Sequence, residues 1–177
     1  MIITVIRHGK VCHTWKKWCS SSEFDEQCRL YDSAPIEKMT RDKERHVSKV
    51  YISTLARSRQ TANMLFGEME FCSTDQINEV PLRSAFDTGL KLPLWFWNVA
   101  GRLQWICNSG RQPETKRQTK KRADRFVQDL LKADEDCVLV THGFFMHTLI
   151  SVMKQYGFKT DNASLQYKNG EAIVLVK

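Results

Sequence analysis

No stretch of this chain approaches the roughly 20 consecutive apolar residues that a membrane-crossing helix needs. The opening Met1-Ile2-Ile3-Thr4-Val5-Ile6 is apolar, but it has neither a basic leader nor a small-residue cleavage site, so no signal peptide is expected. Cys12, Cys19, Cys28, Cys72, Cys107 and Cys137 form no CxxC pair. Without a secretory signal they read as reduced thiols, and the expected location is cytoplasmic. Cys12, His13, Cys19 and Cys28 lie close in sequence, yet their spacing fits no usual zinc pair, and they read as small residues of a loop. Neither a metal nor a cofactor is expected. Internal repeats, linkers and low-complexity segments are also lacking, which leaves one α/β domain as the simplest organisation.

What is present is globular. The 177 residues are 42% apolar and 27% charged, enough for one domain over residues 1–177 with a single core. The net charge of +7 favours anionic partners, whether nucleic acid, a membrane surface or a phosphorylated small molecule. The cationic run Lys116-Arg117, Lys120-Lys121-Arg122 and Arg125 falls within a helical pattern and reads as a solvated helix face rather than a nucleic-acid site.

Ile2 to Arg7 reads as a buried strand ending at His8-Gly9, followed by an irregular stretch to Pro35 in which Ser20-Ser21-Ser22 marks a turn or helix start. Ile36 to Val47 suggests an exposed helix. Val50 to Ser53 suggests a second strand, and Leu55, Ala62, Leu65 and Phe66 mark one face of a helix from about Arg57. Weak strand signals lie at Met69 to Cys72 and just before Pro81. Pro93 to Asn108 is rich in tryptophan with helical spacing, and Pro113-Glu114-Thr115 opens a basic helix. Cys137 to Val140 is a continuous apolar run, typical of a strand covered on both faces. Gly143 to Tyr156 is helical in period, with Gly157 as its C-terminal cap. A hairpin is expected at the end, pairing Ser164 to Tyr167 with Ala172 to Val176 across Asn169-Gly170.

Two strands share one design, Arg7-His8-Gly9 at the end of the first and Thr141-His142-Gly143 at the end of the late apolar one. Ligands of open α/β sheets bind beyond the carboxyl ends of the strands, so both histidines point to one crevice. Arg57 falls where a helix begins, and a helix start with an arginine is an anion site.

Arg7-His8-Gly9 resembles the RHG signature of the histidine phosphatase (phosphoglycerate-mutase-like) superfamily. Ser53-Thr54-Leu55-Ala56-Arg57-Ser58-Arg59-Gln60-Thr61-Ala62 is similar to its S-P-L-x-R-x-x-Q-T-A segment, with Thr54 in place of proline. Thr141-His142-Gly143 resembles the second histidine motif, and Glu79 falls where the family has its proton donor. The resemblance runs along essentially the whole chain. It implies a three-layer α/β/α sandwich with a mostly parallel central sheet, and a short Trp-rich helical lid inserted at about residues 80–113.

The function it implies is a metal-independent phosphatase that hydrolyses phosphomonoesters through a phosphohistidine on His8. Its transition state is loose and charge-dispersed, so positioning and electrostatics dominate. Arg7, Arg57 and a charged His142 are expected to hold the phosphoryl oxygens. Glu79 is expected to protonate the leaving group and then to activate water. The loop after Gly9 departs from the family pattern, with Lys10 and Val11 where a carboxylate or amide and a hydroxyl are usual. Thr14 is the expected substitute phosphate contact.

The implied partner is a small phosphorylated substrate, with neither nucleic acid nor membrane. The alternatives are phosphoglycerate mutase-type transfer, dephosphorylation of protein phosphohistidine, and a non-catalytic phosphate-binding module. The chain stops at the hairpin strand without a mutase-type tail, which favours hydrolysis. Trp95, Trp97 and Trp105 either cover the crevice or dock their helix on the core. His13, His46 and His147 carry no motif, His147 being expected at a rim, and Arg83 reads as a solvated charge.

Overall fold

Strand β1 (Ile2–Arg7) alternates its side chains between two apolar faces, and the rest of the molecule is arranged around that alternation. The computed structural model describes residues 1–39, 49–161 and 166–177. In chain order they form β1, β2 (Trp18–Cys19), α1 (Ser21–Ser33), β3 (Val50–Ser53), α2 (Ala56–Phe66) and β4 (Cys72–Thr74). A single 3₁₀ turn (Asp75–Ile77) leads to β5 (Leu92–Pro93), α3 (Leu94–Ile106), α4 (Lys116–Ala133), β6 (Cys137–Thr141), α5 (Gly143–Gln155) and β7 (Ala172–Val176).

The main sheet has the order β4-β3-β6-β1-β7. β1, β3, β4 and β6 run parallel, and β7 is antiparallel on the edge beside β1. Ile3, Val5, Cys137, Leu139, Ile173 and Leu175 pack against α4 and α5 on one face. Ile6, Val50, Ile52, Val138 and Val140 pack against α2 on the other. This is the three-layer α/β/α sandwich with a mostly parallel sheet, and β6, buried at every residue, is its central strand.

Local chemistry sets the helix boundaries. Ser20 and Thr115 cap α1 and α4 in reciprocal capping boxes with Glu23 and Gln118. Pro113 and Glu114 therefore precede the cap instead of forming the first turn. No helix among the described residues is long and apolar enough to cross a membrane.

Several sequence expectations change. Asp75–Ile77 is a 3₁₀ turn where a strand before Pro81 was expected, because Thr74 caps it from its own side chain. The Lys168–Glu171 turn exists, with Gly170 at a φ of 77°. The partner of β7, however, is β1, and Gln166-Tyr167 are not in a strand. Ser164 and Leu165, and residues 40–47 of the expected 36–47 helix with His46 among them, lie outside the described residues; Ile36 itself bridges to Val11.

Candidate active site

The carboxyl ends of β1, β3 and β6 converge on one buried cluster. His8 continues the parallel ladder, its backbone N–H donating to the Thr141 carbonyl at 2.9 Å. The His8 ring is 1% exposed, and its Nδ1 lies 2.7 Å from the Gly9 carbonyl oxygen. A carbonyl can only accept, so Nδ1 carries the proton and the lone pair is left on Nε2. Burial first, then the Arg57 guanidinium, pushes His8 down from 6.5 to about 3, so the ring is neutral.

His142 stands with its ring centroid 5.0 Å from that of His8 and is fully buried. Arg57, in the first turn of α2, donates from Nε to His142 Nδ1 at 3.0 Å and from Nη1 to Asp32 at 2.8 Å. On the other side of the ring, His142 Nε2 meets the Ser53 and Ser58 hydroxyls at 2.7 and 3.3 Å. A nitrogen that accepts from an arginine is unprotonated. His142 is therefore a neutral ring that orients Arg57, which corrects the expectation of a charged His142. Burial and the Arg57 charge hold it well below the ordinary histidine value.

Two donors in this cluster are left over. Arg7 Nε and Arg57 Nη2 are buried without a hydrogen-bond partner among the described residues, while Arg7 Nη1 is anchored on the Tyr167 carbonyl. Buried polar groups are nearly always satisfied, so orphaned guanidinium N–H groups side by side with two neutral histidines mark a place built for an anion. Gly143 makes room for it. A Cβ there would lie 2.7 Å from Arg7 Nε, so only glycine lets the guanidinium cross the start of α5.

Glu79 reaches the same region from the loop after the 3₁₀ turn. Its Oε1 accepts from the Val80 and Phe145 N–H groups at 2.9 Å each, and Oε2 from Phe144 N–H at 3.3 Å. It thereby caps α5, whose own N-cap residue His142 supplies no side-chain bond. Thr54, where proline was expected from the family pattern, ties this loop down. Its N–H donates to Asn78 Oδ1 at 2.9 Å, which a proline could not do. Arg122, read from the sequence as part of a solvated face, donates to the Gln76 and Asn78 carbonyls and pairs with Glu114 at 2.8 Å.

Above the cluster opens a cavity of about 1190 Å³ whose wall includes Arg7, Arg57 and Glu79, whereas His8 and His142 are buried behind those guanidinium groups and are not among its lining residues. Thr14 is exposed and is not among the described residues that line it. Nor are Trp95, Trp97 and Trp105. Trp97 packs on Phe24 and donates to the Cys19 carbonyl, and Trp105 donates to Thr119, whereas Trp95 is exposed. The aromatic wall comes instead from Trp15, Tyr31, Phe144 and Tyr167, with His147 and Arg83 also on the lining. Ser53 and Ser58 lay within a quoted motif but had no assigned role. Asp32, Trp15 and Tyr31 gave no sequence signal.

An α/β sheet with two neutral histidines and two arginines gathered at its carboxyl edge defines a class, that of proteins handling a tetrahedral oxyanion at a buried imidazole. The chain belongs to the histidine phosphatase superfamily (branch 1), whose family model matches residues 3–175, and is a phosphomonoesterase-like enzyme. No curated protein matches it in sequence. Among solved structures it is similar in fold to a phosphoserine phosphatase mutant from Entamoeba histolytica in complex with phosphoserine (17% identity, TM-score 0.56, covering 99% of this chain and 90% of that one). It is also similar to mycobacterial hydrolase 1 (17%, 0.61, 98% and 87%). A third likeness is to a mycobacterial glucosyl-3-phosphoglycerate phosphatase (15%, 0.57, 99% and 92%).

Proposed function

We propose that this protein hydrolyses small phosphomonoesters through a phosphohistidine on His8. The observation that carries the reading is the pair of orphaned donors, Arg7 Nε and Arg57 Nη2, beside an imidazole whose Nδ1 is pinned to Gly9. His8 Nε2 attacks phosphorus as the ester P–O bond breaks, and the leaving oxygen takes a proton from Glu79. Water then attacks the phosphorus of phosphohistidine, Glu79 removes its proton, the P–N bond breaks and inorganic phosphate leaves. Arg7 and Arg57 neutralise the charge on the transferred group, and His142 keeps Arg57 in place. The capping bonds of Glu79 fix its carboxylate on the cavity wall. All six cysteines are free thiols, which fits a cytoplasmic compartment.

For substrate, a phosphate ester bearing a second acid group is favoured. Arg102 lines the cavity, lies 3.6 Å over the Phe144 ring and has no carboxylate partner among the described residues. The Entamoeba structures hold phosphoserine and 3-phosphoglyceric acid, each with a carboxylate beside its phosphate.

The test is hydrolysis of an aryl phosphate with EDTA present, comparing the native protein with His8→Ala. The expected loss is at least ~10³-fold, with a thermal melt checking that the variant still folds. Turnover that survives in the variant sinks the phosphohistidine reading.

A further inference from the structure

Helix α3 carries more apolar surface than its packing uses. Trp97, Gly101 and Trp105 form its buried side. On the opposite side Trp95, Val99, Leu103 and Ile106 recur at steps of four, four and three, and are 66%, 50%, 55% and 47% exposed. That spacing aligns them in one stripe along the helix. Trp18, 60% exposed, pairs with Pro93 just before the helix and extends the stripe at its start. Single exposed apolar residues are ordinary, but a continuous strip with two tryptophans marks an interaction surface.

Cations predominate around the strip, with Glu23 near Lys91 at its start. There is no Asp or Glu between Asp87 and Glu114. Lys17, whose carbonyl accepts the Leu94 N–H at 2.8 Å, and Lys91 flank the start of α3. At its other end Asn108 accepts the Arg117 N–H at 2.9 Å, which brings in the exposed Lys116, Arg117, Lys120 and Lys121 of α4. None of these six cations forms an ion pair among the described residues. A second copy of the chain would bring the same net charge of +7 and the same cations to the contact. An anionic lipid surface complements both parts. Its headgroups pair with lysine and arginine, and its interfacial region is where tryptophan rings settle.

We propose that the outer face of α3 docks this protein on anionic lipid bilayers, with Trp18, Trp95, Val99, Leu103 and Ile106 in the headgroup–acyl boundary and the flanking cations on the headgroups. A span-length apolar run is needed to cross a bilayer but not to lie along one, so the sequence expectation of no membrane partner does not weigh against it. The docking is independent of the reaction proposed for His8, because none of these side chains lines the catalytic cavity.

The experiment is co-sedimentation of the whole chain with vesicles of phosphatidylcholine alone and of phosphatidylcholine mixed with phosphatidylglycerol. Binding is expected to the mixed vesicles only, weakening as salt rises. Trp95→Ser combined with Leu103→Ser should weaken it at least ~10-fold through lost apolar insertion. Lys120→Ala combined with Lys121→Ala should weaken it by about 25-fold, at roughly fivefold per cation. All four side chains are exposed, and thermal melts of both variants check that they fold. The proposal is overturned if the native protein ignores the mixed vesicles, if it binds neutral vesicles equally well, or if the Trp95/Leu103 variant binds undiminished. It is equally overturned if sedimentation equilibrium shows a dimer that this variant dissociates, which would make the strip an interface between copies.

Discussion

The buried floor of the site, beneath the cavity, and the wall that lines the cavity are built in different ways. On that floor His8, Arg57 and His142 are buried, only Arg57 of the three reaching the cavity lining, and apart from Arg57 Nη2 and His8 Nε2 their side-chain nitrogens have partners within 3.3 Å. On the wall Trp15, Arg83, Arg102 and His147 are exposed or half-buried, three of them in ring contacts and Arg83 in an ion pair with Asp25 at 3.6 Å. A floor that is fully determined before substrate arrives spends no reorganisation on the transferred group. A loosely held wall can suit one leaving group or another without disturbing that floor. Chemistry and selectivity are thus separable here, with Glu79 at the seam, bonded to the helix that carries the floor yet facing the wall.

Glu79 is where the separation is easiest to break. Glu79→Gln keeps one acceptor oxygen for the α5 N–H groups but removes the transferable proton. If Glu79 supplies the acid, hydrolysis of an alkyl phosphate should fall about 10²–10⁴-fold. An aryl phosphate, whose leaving group departs without help, should lose far less. Weakening of the cap, through the lost charge and second acceptor, should cost at most about 1 kcal/mol in a melt. Equal losses for both esters would reduce Glu79 to a residue that only positions α5.

The floor should also respond to acid more strongly than the wall, where burial likewise holds His147 below its ordinary value. In the unfolded chain His8 titrates near 6.5, whereas in the fold burial and Arg57 hold it at about 3. Between those values the unfolded chain binds a proton that the folded one does not, so stability falls as pH drops from about 6.5 towards 3. His8 alone accounts for a loss on the order of 4 kcal/mol across that window, and buried His142 acts in the same direction. His8→Asn should flatten this dependence in urea titrations at stepped pH. An unchanged slope would mean that the ring is not held neutral.

How much was legible in the sequence follows the same division. His8, His142, Arg7 and Arg57 sit at strand ends or a helix start, positions fixed by local apolar runs and by motif spacing. The layers followed from the same runs, β6 most clearly. What was not legible depends on contacts between distant segments. Asp32 reaches Arg57 from α1, and Trp15 and Tyr31 meet at 5.4 Å across a loop and a helix. No periodicity encodes such meetings. Thr14 was expected near phosphate by its place after the motif, yet the chain there turns it to solvent. The tryptophans of α3 gave the helix correctly but not its rotation. Helical spacing identifies a face without saying what that face meets.

The smallest expected effect belongs to the wall. Arg102 sits over Phe144, donates to the Val80 carbonyl at 3.2 Å and lines the cavity. Burial lowers its affinity for a proton while the nearby Glu79 charge raises it, so the guanidinium stays charged in a half-dry setting where a second anion is favoured. Replacing it by methionine keeps the stem against Phe144 and removes the charge. KM for phosphoserine should rise on the order of tenfold with kcat little changed, since a distal carboxylate is bound alike in ground and transition states. For a plain alkyl phosphate neither constant should move. A fall in kcat for both substrates would mean that Arg102 acts through Glu79 on the proton transfer, and that floor and wall are coupled after all.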